Sequence, residues 1–278
     1  MNLLDRAPKS GFEFLKRIEA AYPPNVDVTY NMGIALLYLG RLEEAEKYFN
    51  KTLKIDLSHE AARTNLDLLV RIKEISNKGC TRMHLEELGE IATDAREAGL
   101  FVIAEKIGNI MIEVDKGPGA LNDLGLTFQH QNQIGKALEC YDRALKIDPN
   151  SHEVLSNKAF CLMMTDRLNE AYTIYESLIK LSPDFLQGWY HMGLINVKKE
   201  DYQNALNYLN KAIELNDEYY LAWITKYQAL IKLKRTEEAQ RCWENAVDLN
   251  PEYAMHLALG EGAKIQTTNM HAKHNNNA

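Results

Sequence analysis

The sequence predicts an all-α fold, a solenoid of stacked antiparallel helix pairs. Three observations predict it. The 278 residues include only 7 prolines and 15 glycines, few breakers for that length, which suits helices joined by short turns. Apolar residues make up 46% and charged residues 26%, the mix of a folded globular chain rather than a disordered one. Above all, the chain repeats itself. Ala137, Ala171, Ala205 and Ala239 lie 34 residues apart, and four residues after each stands Tyr141, Tyr175, Leu209 or Trp243. Twelve residues before each alanine stands Gly125, Ala159, Gly193 or Tyr227, and twelve after it Pro149, Pro183, Asp217 or Pro251. The same frame moved back to Ala45 finds Gly33 and Leu57.

The spacing has a physical meaning. Two helices of about 14 residues with short turns fill one period. The small residue on the first helix and the alanine on the second mark the closest approach of the two backbones. The large residue one turn after the alanine fills the gap beside that crossing. Ala144, Ala212 and Ala246 lie on the same face and admit the next pair. A proline cannot continue the second helix, so it fixes the joint to the next pair.

This pattern resembles the tetratricopeptide repeat. Unit 118–151 fits with Leu121, Leu124, Gly125, Phe128, Ala137, Tyr141, Ala144 and Pro149. Unit 152–185 follows with Leu155, Ala159, Leu162, Ala171, Tyr175 and Pro183, but Lys158 takes an apolar place. Unit 186–219 carries Trp189, Met192, Gly193, Ala205, Leu209 and Ala212. Unit 220–253 carries Trp223, Leu230, Ala239, Trp243, Ala246 and Pro251, and departs at Lys226 and Tyr227, where a small residue is expected. Unit 26–59 carries Met32, Gly33, Leu36, Ala45 and Phe49. The resemblance implies a right-handed superhelix of helix pairs.

The remaining elements follow from the frame. Residues 1–77 are read as N-terminal helices: a lone second helix with Leu15, Ile18 and Pro23, the unit 26–59, and an unpaired helix over 60–76. Residues 78–117 are read as a joint and a degenerate pair with Ile91, Ala92, Ala95, Ala104 and Met111. A hinge and a rigid irregular turn are both open at 77–84. Units follow from 118 to 253. A capping helix is expected at 254–264, because a terminal repeat needs a cap, and a disordered Asn-rich tail at 265–278.

Several function classes are disfavoured. The net charge of −7 argues against nucleic acid and against an anionic membrane surface. No phosphate-cradling loop, metalloprotease helix or nucleophile elbow appears, and Gly260–Glu261–Gly262–Ala263–Lys264 is too short for a P-loop. Cys80, Cys140, Cys161 and Cys242 lack metal or redox spacing and read as small core residues or free thiols. His271 and His274 lie in the expected tail. No catalytic residue, metal site or cofactor is expected, and the chain is not read as an enzyme. Met1 to Phe12 has no apolar run, and no stretch approaches about 18 apolar residues. A cytoplasmic location is the expectation, without membrane insertion.

The resemblance also implies where a partner would sit. In the family, the second, fifth, ninth, twelfth and thirteenth residues of each unit face a concave groove. Here these are Gly119, Asn122, Leu126, Gln129 and His130, then Glu153, Ser156, Phe160, Met163 and Met164. Gln187, Tyr190, Leu194, Val197 and Lys198 follow, and then Leu221, Ile224, Gln228, Ile231 and Lys232. The sixth position adds Asn157 and His191, part of a broken asparagine ladder (Asn31, Asn65, Asn157) that could bind a peptide backbone or simply suit a helix surface. The candidate groove is therefore Asn122, Leu126, His130, Ser156, Asn157, Phe160, Met163, Met164, Tyr190, His191, Leu194 and Ile224. Its Met and aromatic content suits an apolar or amphipathic peptide or helix of a partner protein. The basic clamp with which some family members hold acidic chaperone tails is missing, so that partner is disfavoured. The function expected is an adaptor, scaffold or assembly factor. The alternative is a structural scaffold that forms a homo-oligomer through its unpaired helices.

Overall fold

A computed structural model describes residues 8–22, 24–78 and 81–253. They form helices throughout: α1 (Pro8–Ala21), α2 (Val26–Tyr38), α3 (Leu42–Ile55), α4 (Glu60–Lys78), a 3-10 turn (Arg82–His84), α5 (Leu85–Glu97), α6 (Phe101–Val114), α7 (Pro118–His130), α8 (Ile134–Ile147), α9 (His152–Met164), α10 (Leu168–Leu181), α11 (Leu186–Lys198), α12 (Tyr202–Leu215), α13 (Tyr220–Lys232) and α14 (Thr236–Leu249). The chain divides into two compact units, up to Gln133 and from Ile134 onward. The joint expected at 77–84 thus lies inside the first unit, with 79–80 outside the described residues. The cap expected at 254–264 and the tail at 265–278 also lie outside them.

The close approach inferred from the period is present. A Cβ on Gly33 would come within 2.6 Å of the Phe49 ring, and one on Gly193 within 2.6 Å of Leu209 Cγ. Ala45, Ala171, Ala205 and Ala239 are fully buried at the crossings. The departures from the pattern are absorbed locally. Lys158 reaches Asp142 at 2.6 Å, and Lys226 lies over the Trp223 ring at 5.3 Å. Tyr227, where a small residue was expected, packs beside Trp243 with ring centroids 5.2 Å apart.

A second regularity sets the turns. The residue after the cap of each first helix in a pair is left-handed: Gly40, Gly99, Asn132, Asp166, Glu200 and Lys234 have φ between 58° and 73°. Each closes a Schellman cap. Lys234 N–H donates to the Ile231 carbonyl and Arg235 N–H to the Leu230 carbonyl, both at 3.0 Å, and the other five repeat the pattern. Gly99 occupies this place in the pair α5–α6, so the degenerate pair keeps the repeated turn where it has lost much of the repeated sequence. The joints between pairs use side-chain caps as well as proline. Asp56, Asp148 and Asn216 accept from the backbone N–H two residues on, at 2.9, 3.1 and 2.9 Å. Two of these joints, at Leu57 and Asp217, lack the proline.

In the first unit, α4 has no second helix of its own, yet it is not left open. It packs against α3 and α5 and buries Ala62, Leu68, Leu69, Ile72 and Ile75. Self-association through 60–76 would have to displace those contacts. The first helix, α1, docks on α2 and is tied to α3 as well. Tyr48 Oη donates to Glu19 at 2.8 Å, Lys51 Nζ reaches Glu19 at 2.5 Å, and Arg41 lies over the Phe12 ring at 5.1 Å.

Candidate functional site

Three of the twelve candidate groove residues, Asn122, Leu126 and His130, stand on α7 in the first unit. Asn122 is buried, and His130 has the Phe101 ring 6.5 Å away. Next to Asn122, Asp123 is the partner of a buried arginine. Arg96 from α5 donates to the Asp123 carbonyl at 3.4 Å, approaches its carboxylate at 3.8 Å and donates to Thr93 at 2.7 Å. This part of the face is polar and internally satisfied.

The other nine stand on α9, α11 and α13 of the second unit. These first helices lie side by side: α11 contacts α13, and the Phe160 ring of α9 meets the His191 ring of α11 edge-on at 5.8 Å. Ser156, Asn157, Phe160, Met164, His191 and Leu194 are half-buried, so their side chains reach the surface. Met163, Tyr190 and Ile224 do not. They are 4%, 2% and 2% exposed and serve as packing behind the face. Tyr190 sits in the core with Ala205, Leu209 and Ala222, its ring edge-on to Tyr219 at 5.2 Å and its hydroxyl bonded to Thr225.

The support of this face is aromatic. Tyr175 from α10 stacks under His191 at 4.9 Å and donates its hydroxyl to the Ser156 carbonyl at 3.2 Å. Burial pushes the hydroxyls of Tyr175, Tyr190 and Tyr219 well above the ordinary tyrosine range, so they stay protonated and neutral at any physiological pH. Tyr175 had been read only as the large residue beside the helix crossing. Its second role, fixing the His191 ring and the α9 backbone, follows from a contact between neighbouring pairs that the repeat spacing does not contain. Trp189 and Trp223 fix the ends of α11 and α13 in the same manner, their indole N–H groups donating to the carbonyls of Pro183 and Asp217 at 2.8 and 2.7 Å.

Among the described residues no three His, Cys, Asp or Glu side chains are placed to hold a metal. Cys140, Cys161 and Cys242 are buried, and burial pushes the Cys161 thiol up to about 12. No helix among the described residues is long and apolar enough to cross a membrane.

A fold of stacked helix pairs with a partly open first-helix face defines a repeat-built protein-interaction module. Sequence models of the tetratricopeptide repeat match residues 26–59, 118–151, 140–173 and 186–219. The chain belongs to the tetratricopeptide repeat family, whose members are typically interaction modules rather than enzymes. Among curated proteins it is similar to a cell division cycle protein 27 homolog of Caenorhabditis elegans, 32% identical over 29% of this chain and 10% of that protein. It is also similar to the peroxisomal targeting signal receptor of Kluyveromyces lactis, 25% identical over 36% of this chain and 17% of the receptor. The matched segments are therefore small parts of those relatives. Among solved structures, MamA from Desulfovibrio magneticus RS-1 superposes with a TM-score of 0.53 at 16% identity, over 60% of this chain and 95% of MamA. YrrB, described as a TPR protein with an unusual peptide-binding site, superposes with a TM-score of 0.50 at 14% identity, over 68% of this chain and 97% of YrrB. At these identities the likeness concerns the fold.

Proposed function

We propose that the chain is an adaptor or assembly factor that holds an apolar or amphipathic peptide segment of a partner protein on the first-helix face of its second unit. One observation carries the reading. Phe160, Met164, His191 and Leu194 form a half-open apolar and aromatic surface across α9 and α11, on a rigid aromatic base. Side chains of this kind adapt to apolar ligands, and a preformed base limits the entropy lost on binding. Ser156 and Asn157 flank it with polar atoms suited to a peptide backbone. Recognition of a targeting signal is what the name of the Kluyveromyces lactis relative describes, and the match to it supports a recognition role here. A cytoplasmic location belongs to this reading.

The test is a selection of random twelve-residue displayed peptides against the full chain, followed by fluorescence anisotropy. Met164→Glu with Leu194→Glu should weaken the selected peptides more than tenfold while leaving the helical circular dichroism unchanged. Tyr190 is a poor position for such a test, because a charge at a 2% exposed site would damage the core itself. Failure to select any peptide, or binding indifferent to the double change, would sink the proposal.

A further inference from the structure

The proposed face is not uniform along its helices. Three first helices supply eighteen side chains at the second, fifth, sixth, ninth, twelfth and thirteenth positions of their units. Among them Glu153 is the one acid, and Lys198 and Lys232 are the bases. The charge of this face is thus positive in a chain whose net charge is −7. The signs are also separated in space. Glu153 lies in the first turn of α9, whereas Lys198 and Lys232 are the last residues of α11 and α13. Both lysines are exposed, and neither forms an ion pair among the described residues. The corresponding last residue of α9 is Met164, half-buried and part of the apolar patch.

The helical phase puts these lysines on the partner-facing stripe. Lys198 lies seven residues after His191 and four after Leu194, and Lys232 lies seven after Thr225 and four after Gln228. The next turn residue repeats the trend along the stack, from Asp166 and Glu200 to Lys234. A ligand crossing from α9 to α13 therefore meets an apolar and aromatic patch first and then a basic edge.

We propose that the occupant is a peptide segment with an apolar anchor followed by acidic residues, the anchor on Phe160, Met164 and Leu194 and the acids on Lys198 and Lys232. This rests on the peptide-binding reading above and names the chemistry of the ligand. Neighbouring helices are separated by about 10 Å and an extended chain advances about 3.3 Å per residue. The acids accordingly fall about three and about six residues from the anchor. This differs from the carboxylate clamp excluded by the sequence, because the bases stand at the last turn of the first helices rather than at the second, fifth and sixth positions.

The experiment uses the full chain and three fluorescent peptides of about ten residues. Each has a Leu–Phe anchor, with glutamate, glutamine or lysine about three and six residues after it. The glutamate probe should bind about tenfold tighter than the glutamine probe at low salt, with the gap shrinking at high salt. Lys198→Gln with Lys232→Gln should remove the gap and leave the glutamine probe unaffected. Charge reversal at both positions should transfer the preference to the lysine probe. If glutamine and glutamate probes bind equally, yet both are lost on Met164→Glu with Leu194→Glu, the peptide-binding reading stands and the acidic ligand is overturned. If no probe binds the wild-type chain, both fall. A concentration-dependent dimer in light scattering that Leu194→Glu disperses would place a second copy on this face and overturn the proposal.

Discussion

Glu200 offers a clean measure of how much the repeated turn contributes to stability. Its φ is 62°, in a region where an L side chain costs about 1–2 kcal/mol. Its carboxylate is exposed and makes no ion pair among the described residues, so removing the side chain forfeits little else. Glycine adopts the same φ without that cost, but it loses about 0.5–1 kcal/mol more conformational entropy on folding. The balance favours Glu200→Gly by about 0.5–1 kcal/mol. Urea unfolding followed by circular dichroism should show the midpoint raised by a few tenths molar, given an m-value of about 2 kcal/mol/M. The reverse change checks the cause. A Cβ on Gly99 would have no atom within 4 Å, so Gly99→Ala adds no clash and tests the backbone alone. It should lower stability by about 1 kcal/mol. A midpoint lowered by Glu200→Gly, or one indifferent to Gly99→Ala, would show that the left-handed turn is not the strained element described above.

Two further outcomes follow from the packing and from the docking of α1. Gly193→Ala should destabilise by about 1–2 kcal/mol through contact with Leu209, and the penalty should largely disappear in a background carrying Leu209→Ala; additive effects in a double-mutant cycle would refute the close approach. Burial works to raise the Glu19 carboxyl, but hydrogen bonds from Lys51 and Tyr48 outweigh it and hold its pKa below the usual 4.5. Its contribution is then present above about pH 4.5 and is lost as pH falls through the lower folded value. The stability gap between wild type and Glu19→Gln seen at pH 7 should narrow as pH falls below about 4.5, and a gap in urea unfolding that widens on acidification would contradict the assignment. Tyr48, pushed up to about 12 by burial and by Glu19, adds stability that fades only as pH rises from about 10 through 12.

The helix pairs were legible because their cause is local in sequence. A glycine at the crossing, an alanine opposite and a large residue one turn later are all that two helices need to dock, and Gly33 with Phe49 and Gly193 with Leu209 dock in that manner. The turns were less legible because their cause is backbone geometry. Gly40, Asn132, Glu200 and Lys234 have almost nothing in common as side chains, yet each follows the cap of a first helix and closes the same two hydrogen bonds. No single residue type is shared by all six turns, whereas the left-handed φ is. Proline marks only some of the joints, and the Asp56 and Asn216 caps carry no such mark because an Asx turn works with no proline at all.

The proposed face was legible only as a register. Position within the unit says which side chains point toward that face, but side-chain size decides which of them stay open on it. The fifth position is Ser156 in one unit and Tyr190 in the next. Ser156 is too short to leave the half-buried surface, and its carbonyl is held by Tyr175. Tyr190 is long enough to reach the following pair, where Thr225 and Tyr219 enclose it. The same register position is therefore surface in one pair and core in the next. For that reason the surface left open narrows to Phe160, Met164, His191 and Leu194, flanked by Lys198, and changes aimed at the partner should be made there rather than at the buried tyrosine beneath.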